Sequence, residues 1–337
     1  MATTIRDVAR HAKVSVASVS RALNGTGVVT ERTRQRIVRV AEKLHYTPHA
    51  AARSLSTRST QTIGVLLPDI YGEFFSELIR GIDLAARARG LHLLVSSSHG
   101  DAAEAAAAIR AMSGRVDGLL IMSPHVDAGF LGNQLRVGVP TVLMNTRNDD
   151  RLFSSLTVDN YSGAGAMMRH LAGLGHRHIA HITGPAGNFE SQERLRGYRA
   201  ARAKLRLAGK ELLIPGDFNE ESGYLAGKLV LAMAARPDAI FAANDMMAIG
   251  CMFALTEAGV GVPTDIAVTG FDDIPIARFV TPPLTTVRID IADLGRRALE
   301  RLASTVSQPK AATASTETLK PELVVRVSCG ARNAAVM

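Results

Sequence analysis

The residues best suited to chemistry in this 337-residue sequence stand at the ends of its predicted strands. Asp69 follows the first strand, Asn145 ends Thr141–Met144, Asn244 and Asp245 end Ala239–Ala242, and Asp272 and Asp273 end Ile266–Gly270. Arg194 opens the helix after Ile179–Thr183. Ligands of open α/β sheets collect at the carboxyl ends of strands, and a guanidinium fork beside a carboxylate fixes hydroxyl or carboxyl groups. The chemistry open to this set is recognition of a small polar ligand. Phe74, Phe75 and Phe241 are the aromatic candidates for its apolar face, because the chain has no Trp. Each residue also has a plainer use. Asn and Asp cap helices, Arg194 suits a salt bridge between lobes, and Phe241, inside a strand, suits the core.

No catalytic constellation accompanies them. P-loop, Gly-x-Ser-x-Gly and His-Glu-x-x-His patterns do not occur. Gly163-x-Gly165 lacks the third glycine of a dinucleotide fingerprint. Asp272 and Asp273 are consecutive, so their side chains diverge and share no proton. In His176-x-His178-x-x-His181 the last two imidazoles point to opposite faces of a strand, and no Cys or Glu cluster joins them. Gly175-His176 reads as a helix stop with a capping imidazole. Cys251 and Cys329 are too few for a disulfide framework and read as buried thiols. The expectation is no enzyme, no metal and no cofactor.

The elements that must position the polar set alternate from Thr62 onward. Strands are predicted at Ile63–Leu67, Leu91–Val95, Gly118–Ile121 and Thr141–Met144, with helices at Glu73–Arg89 and Asp101–Met112. Near Asp159–Asn160 the series restarts, with helices at Tyr161–Leu174, Gln192–Leu207, Glu220–Ala235 and Met246–Ala258 around strands Ile179–Thr183, Ala239–Ala242 and Ile266–Gly270. Two α/β units with parallel sheets and a cleft between them follow.

The first sixty residues differ in kind. They hold 11 Lys and Arg against 3 Asp and Glu, whereas the whole chain has 39 and 31, so the remainder is formally neutral. A basic segment on a neutral body points to a polyanion. Thr3 or Thr4 caps a helix carrying Ile5, Val8 and Ala9; Ala12-Lys13-Val14 turns; Ser15 caps a second helix with Val16, Val19, Ala22 and Leu23 inward. Ala17, Ser18, Arg21 and Asn24 lie on its other face, Asn24-Gly25 stops it, and Thr30 caps a third helix. Two short helices and a turn of this kind fit a major groove. Arg6, Asp7 and Arg10 break any signal-peptide core, and no run is long enough to span a membrane, so a cytoplasmic, nucleoid-associated protein is expected.

Three N-terminal blocks, TIRDVAR, VSVASVSRALN and Tyr46–Leu55, resemble in order and spacing the headpiece and hinge of the lactose/galactose repressor family. Core motifs extend the resemblance over nearly the whole chain: Pro68-Asp69, Val116-Asp117-Gly118, Val158-Asp159-Asn160, Leu174-Gly175-His176, Ala243-Asn244-Asp245, Gly270-Phe271-Asp272-Asp273 and Pro283-Leu284-Thr285-Thr286. It implies an all-α helix-turn-helix headpiece (1–46), a hinge helix and linker (47–60), and an α/β core of two periplasmic-binding-protein-like subdomains. The first would be 61–160 with 289–319, the second 161–288 with 320–329, followed by a tail at 330–337. Three crossings between them would fall near Asp159–Tyr161, Ile289–Ile291 and Lys320–Glu322.

The resemblance also implies roles. Val16, Ala17 and Arg21 would enter the major groove, where short apolar side chains suit thymine methyls and Arg21 suits guanine. Thr4, Ser15, Ser18, Ser20, Asn24 and Arg53 would hold the DNA, and Leu55 would wedge into the minor groove. Arg194 and Asp272 would contact an effector, with Asn145, Asn244 and Asp159 as weaker carry-overs. Pro68 and Pro124 stand where some relatives have hydroxyl residues. The chain shows no leucine-heptad tail after Val324–Val327, which favours a homodimer on a near-palindromic operator. The expected function is an effector-responsive repressor of a carbohydrate-utilisation operon, answering to a sugar or sugar acid. The alternatives are a periplasmic-type solute-binding protein, or a regulator responding to a purine or a protein co-regulator.

Overall fold

The computed structural model describes residues 3–24, 28–46, 59–135, 139–149, 151–207, 209–307 and 314–331. The chain divides into two compact units, Met1–Gln61 and Thr62–Met337. In the first, helices α1 (Ile5–Ala12), α2 (Val16–Asn24) and α3 (Glu31–Lys43) close around Val8, Val19 and Ile37, all fully buried. Asp7 accepts hydrogen bonds from Thr4 N–H (3.0 Å) and Oγ1 (2.7 Å), which fixes the start of α1. Lys13, at φ 49°, makes the left-handed turn into α2. Val16 is not inward: it stands 42% exposed, and the α2 stripe rests on Val19 and Ala22.

The second unit contains two parallel sheets. Strands β1 (Thr62–Leu67), β2 (His92–Ser97), β3 (Gly118–Met122), β4 (Thr141–Met144) and β5 (Ser154–Val158) join β11 (Thr316–Leu319) in the order β11-β5-β4-β3-β1-β2. Helices α4 (Glu73–Arg87), α5 (Ala102–Met112) and α6 (Ala128–Gln134) connect them. Strands β6 (Ile179–Ile182), β7 (Leu212–Ile214), β8 (Ala239–Ala242) and β9 (Ala267–Thr269) run in the order β7-β6-β8-β9. Their helices are α7 (Asn160–Gly173), α8 (Phe189–Lys204), α9 (Glu220–Leu231) and α10 (Asp245–Glu257). Central parallel strands have no solvent face, so β3, β4, β6 and β8 are continuous runs of buried residues.

The chain passes between the two lobes at three places. It leaves β5 through Asp159 into α7; it returns from β10 (Thr286–Arg288) to α11 (Ile291–Ser307), which packs on α4; and it leaves β11 for β12 (Glu322–Val324). β10 and β12 pair antiparallel, with Val287 opposite Leu323. Asp159 accepts from Ser162 N (2.9 Å) and Asp290 from Asp293 N (2.9 Å), so each crossing into a helix carries its own cap.

Candidate effector cleft and nucleic-acid interface

Between the lobes of the core lies a cleft of about 640 Å³, within the range of small-molecule sites. Its floor is built by α8. Asn188 caps that helix by accepting from Ser191 N (3.1 Å), and on its first turn Glu190, Ser191 and Arg194 are buried, whereas Gln192 is exposed. Arg194 is 3% exposed. Its Nε donates to Asn160 Oδ1 (2.8 Å) and Nη1 to the carbonyl of Ala243, while Nη2 faces Asp272 Oδ1 at 3.1 Å and Glu190 Oε1 at 3.7 Å. The guanidinium lies over the Phe271 ring at 3.9 Å.

Burial dominates the titration of this cluster. Asp272 is pushed up to about 7, and the charge on Arg194 only partly opposes the shift. Glu190 is raised for the same reason, again against the pull of Arg194. Asp245 is raised well above the carboxylate range by burial, then by the neighbouring charge of Asp272. Asp245 itself is spent on structure, accepting from Thr286 Oγ1 and from Ile274 N at 2.9 Å. Asp272 adopts φ 111°, a region that L residues rarely occupy and that costs on the order of 1–3 kcal/mol. It is held there by its N–H to Val287 O (2.7 Å) and by Ile289 N to its own carbonyl (3.2 Å).

The structure brings most of the candidates from the sequence together. Phe74, Phe75, Arg194, Asn244, Asp272 and Asp69 all line the cleft. Asn244 caps α10 through Met247 N (3.0 Å) and donates to Phe218 O (2.7 Å), so its side chain holds the wall as well as lining it. Asn145 sits behind the lining, fully buried, and donates to Glu190 Oε1 at 2.8 Å. Asp159 is occupied as a cap. Phe241 requires correction as an effector contact. Its strand is buried on both faces, and the ring packs 4.9 Å from His181 in the core. Phe218 is the aromatic residue that lines the cleft in its place.

Glu190 and Phe218 escaped sequence reasoning. Glu190, four residues before Arg194, reads as an ordinary surface pair, and only the burial of the two side chains shows otherwise. The histidine series is dispersed over separate carbonyls, with His176 on Cys329, His178 on Arg236 and His181 on Phe241. Burial lowers His181 to about 4. Among the described residues no group of three His, Cys, Asp or Glu is arranged to hold a metal, and no helix is long and apolar enough to cross a membrane.

On the headpiece, Val16, Ala17 and Arg21 are exposed on α2, with Ala17 and Arg21 one turn apart. Among the described residues no carboxylate pairs with Arg21, so its guanidinium is available to a partner. Ser15 Oγ accepts from Ser18 N (3.1 Å), and Asn24 Nδ2 donates to Ser20 Oγ (3.2 Å). These hydroxyls retain capacity for phosphate contacts. Arg53, Leu55 and the hinge helix expected at 47–60 fall in a stretch of which residues 47–58 lie outside the described residues.

Comparison with known proteins agrees over nearly the whole chain. Residues 4–49 match the family "Bacterial regulatory proteins, lacI family", and residues 168–329 match a periplasmic binding protein-like domain. The ribose operon repressor of Haemophilus influenzae is 32% identical over 332 residues, 96% of this chain and 98% of that protein. The transcriptional repressor PurR of Photobacterium profundum is 34% identical over 328 residues, with the same coverage. Among solved structures, the lac repressor dimer bound to operator and the anti-inducer ONPF superposes with a TM-score of 0.87 at 28% identity, covering 98% of this chain and 99% of that one. The chain belongs to the lacI family: it is a DNA-binding transcriptional repressor with an effector-binding core, not an enzyme.

Proposed function

We propose that the protein represses carbohydrate-utilisation genes as a homodimer and that a sugar in the cleft between the lobes sets its affinity for DNA. The single observation that carries this reading is the buried Arg194–Asp272 pair on the floor of a cleft with phenylalanine walls. A fork and carboxylate grip hydroxyls, and Phe74, Phe75 and Phe218 offer an apolar face. In this reading residues 1–46 are the headpiece, 47–60 the hinge, and the core subdomains divide at the three crossings. Val16, Ala17 and Arg21 read bases; Thr4, Ser15, Ser18, Ser20, Asn24 and Arg53 hold phosphates; Leu55 wedges the minor groove. Homodimer contact is supported by exposed apolar residues on both lobes: Leu84 on α4, Leu94 and Val95 on the edge strand β2, and Leu225, Leu229 and Phe253 on α9 and α10. Its place of work is the nucleoid.

The test couples both sites. The purified protein should bind a near-palindrome upstream of its own gene, and Arg21→Ala should weaken that binding by about 1–3 kcal/mol per half-site. Unchanged operator affinity in Arg21→Ala would remove α2 from the groove. A sugar at a hundred times its Kd should stabilise the protein by about 2.7 kcal/mol in a thermal-shift assay. That ligand-induced gain should vanish in Arg194→Ala. A purine or a protein as the sole active compound would replace the carbohydrate reading.

A further inference from the structure

We infer that the cleft is built for an uncharged, hydroxyl-rich effector and against an anionic one, and that Glu190 sets this choice. The inference rests on reading the cleft as the effector site. It follows from a count of charge and of hydrogen-bonding capacity. Among the described residues Arg194 is the one arginine or lysine that lines the cleft. All three of its nitrogens already face protein acceptors, and two of those acceptors are carboxylates, Asp272 and Glu190. With both ionised the cluster carries one net negative charge; with one proton held between them it carries none. In neither state does a positive charge remain for a carboxylate or phosphate on the ligand.

The wall adds to the same sign. Asp69, Asp217, Glu220 and Glu221 also line the cleft. The histidines there are His99 and His125, and burial lowers His125, which keeps its ring neutral near pH 7.

The open hydrogen-bonding positions tell the same story. On the lining itself, Glu220 Oε2 is a buried acceptor that receives no hydrogen bond, and Asp272 Oδ1 meets only the guanidinium of Arg194, at 3.1 Å. A buried acceptor without a donor is costly, so such a site favours a ligand that brings O–H groups. Hydroxyls donate and accept; an ionised carboxylate or phosphate only accepts. Glu190 decides the balance because Arg194 and Asp272 alone would cancel. Its Oε1 is fixed by Asn145 Nδ2 at 2.8 Å, which holds the second carboxylate against the guanidinium.

Matched ligands test this on the full-length protein. Titration calorimetry would compare D-ribose, D-glucose and D-galactose with the corresponding aldonates and terminal phosphate esters. Among the neutral sugars at least one should bind, and its anionic partners should bind roughly 10- to 100-fold more weakly. Glu190→Gln keeps the shape and the bond to Asn145, and it should narrow that gap about tenfold. An aldonate or phosphate that binds as tightly as its parent overturns the inference. So does a panel in which no neutral sugar binds. Operator binding, recorded on the same sample, then shows whether the repressor reading stands without it. A gap unchanged in Glu190→Gln removes Glu190 from the selection, and should that variant not fold, the wild-type ratio alone decides the ligand class.

Discussion

Three buried carboxylates, Glu190, Asp245 and Asp272, are all raised by desolvation, and this predicts an unusual response to acid. A group whose folded pKa lies above its unfolded value stabilises the fold fully below the unfolded pKa. It loses that contribution as pH rises through the folded one. For Asp272 the window runs from about 4, the ordinary carboxylate value, to about 7. The Tm of the ligand-free protein should therefore rise between pH 7.5 and pH 5.5 (trial values, about one unit either side of the usual histidine range). Asp272→Asn should flatten the rise, and a variant as pH-sensitive as the wild type would place the titration elsewhere. At this scale much of the site was legible. Arg194, Asn244 and Asp272 were found because strand ends and helix starts are where polar side chains converge. Glu190 was hidden because its partner at i+4 is what surface helices also show. Phe241 misled because an aromatic residue in a strand is oriented by the pleat and the sheet order, neither of which the residue itself reveals.

Helices α9 and α10 meet through glycine. A Cβ on Gly250 would sit 1.9 Å from the carbonyl oxygen of Glu220, and one on Gly223 would sit 2.1 Å from that of Met247. Both obstacles are backbone, which cannot swing aside. Gly250→Ala should thus destabilise the core by about 1–3 kcal/mol, read as a lower midpoint in urea. An unchanged midpoint would mean that the helices separate freely. Most of the long elements were legible from their apolar periodicity, to within about a turn at their ends, but the longest helix was not. One such offset mattered: α8 begins at Phe189 rather than Gln192, which carries Glu190 into the helix. The three-residue strands β7, β10 and β12 were not legible, because they are only partly buried, unlike the equally short β9. Helix α11 received no assignment, although Ile291, Leu294, Ala298, Leu299 and Leu302 form its buried stripe.

Across the whole molecule, charge divides with function. The surplus of basic residues lies within the first sixty, and the remainder is balanced. Operator affinity should fall steeply with salt, by a slope of about 0.9 for each phosphate neutralised, whereas sugar affinity should barely change. Equal salt dependence of the two would contradict a division of labour between headpiece and core. The family resemblance implied three crossings as places along the chain. What sequence could not supply is how the residues beside Arg194 are fastened to them. Asp272 is bonded through its backbone to Val287 and Ile289, and Asp273 pairs with Arg288 (2.7 Å) and Arg326 (2.6 Å). Those partners lie on, or just beyond, two of the three strands about which the lobes would turn. On the proposed reading the sensor would thus be mounted on the axle. A molecule that pulled on Asp272 would then load the pivot through the two backbone hydrogen bonds to Val287 and Ile289, with no further side chain between them.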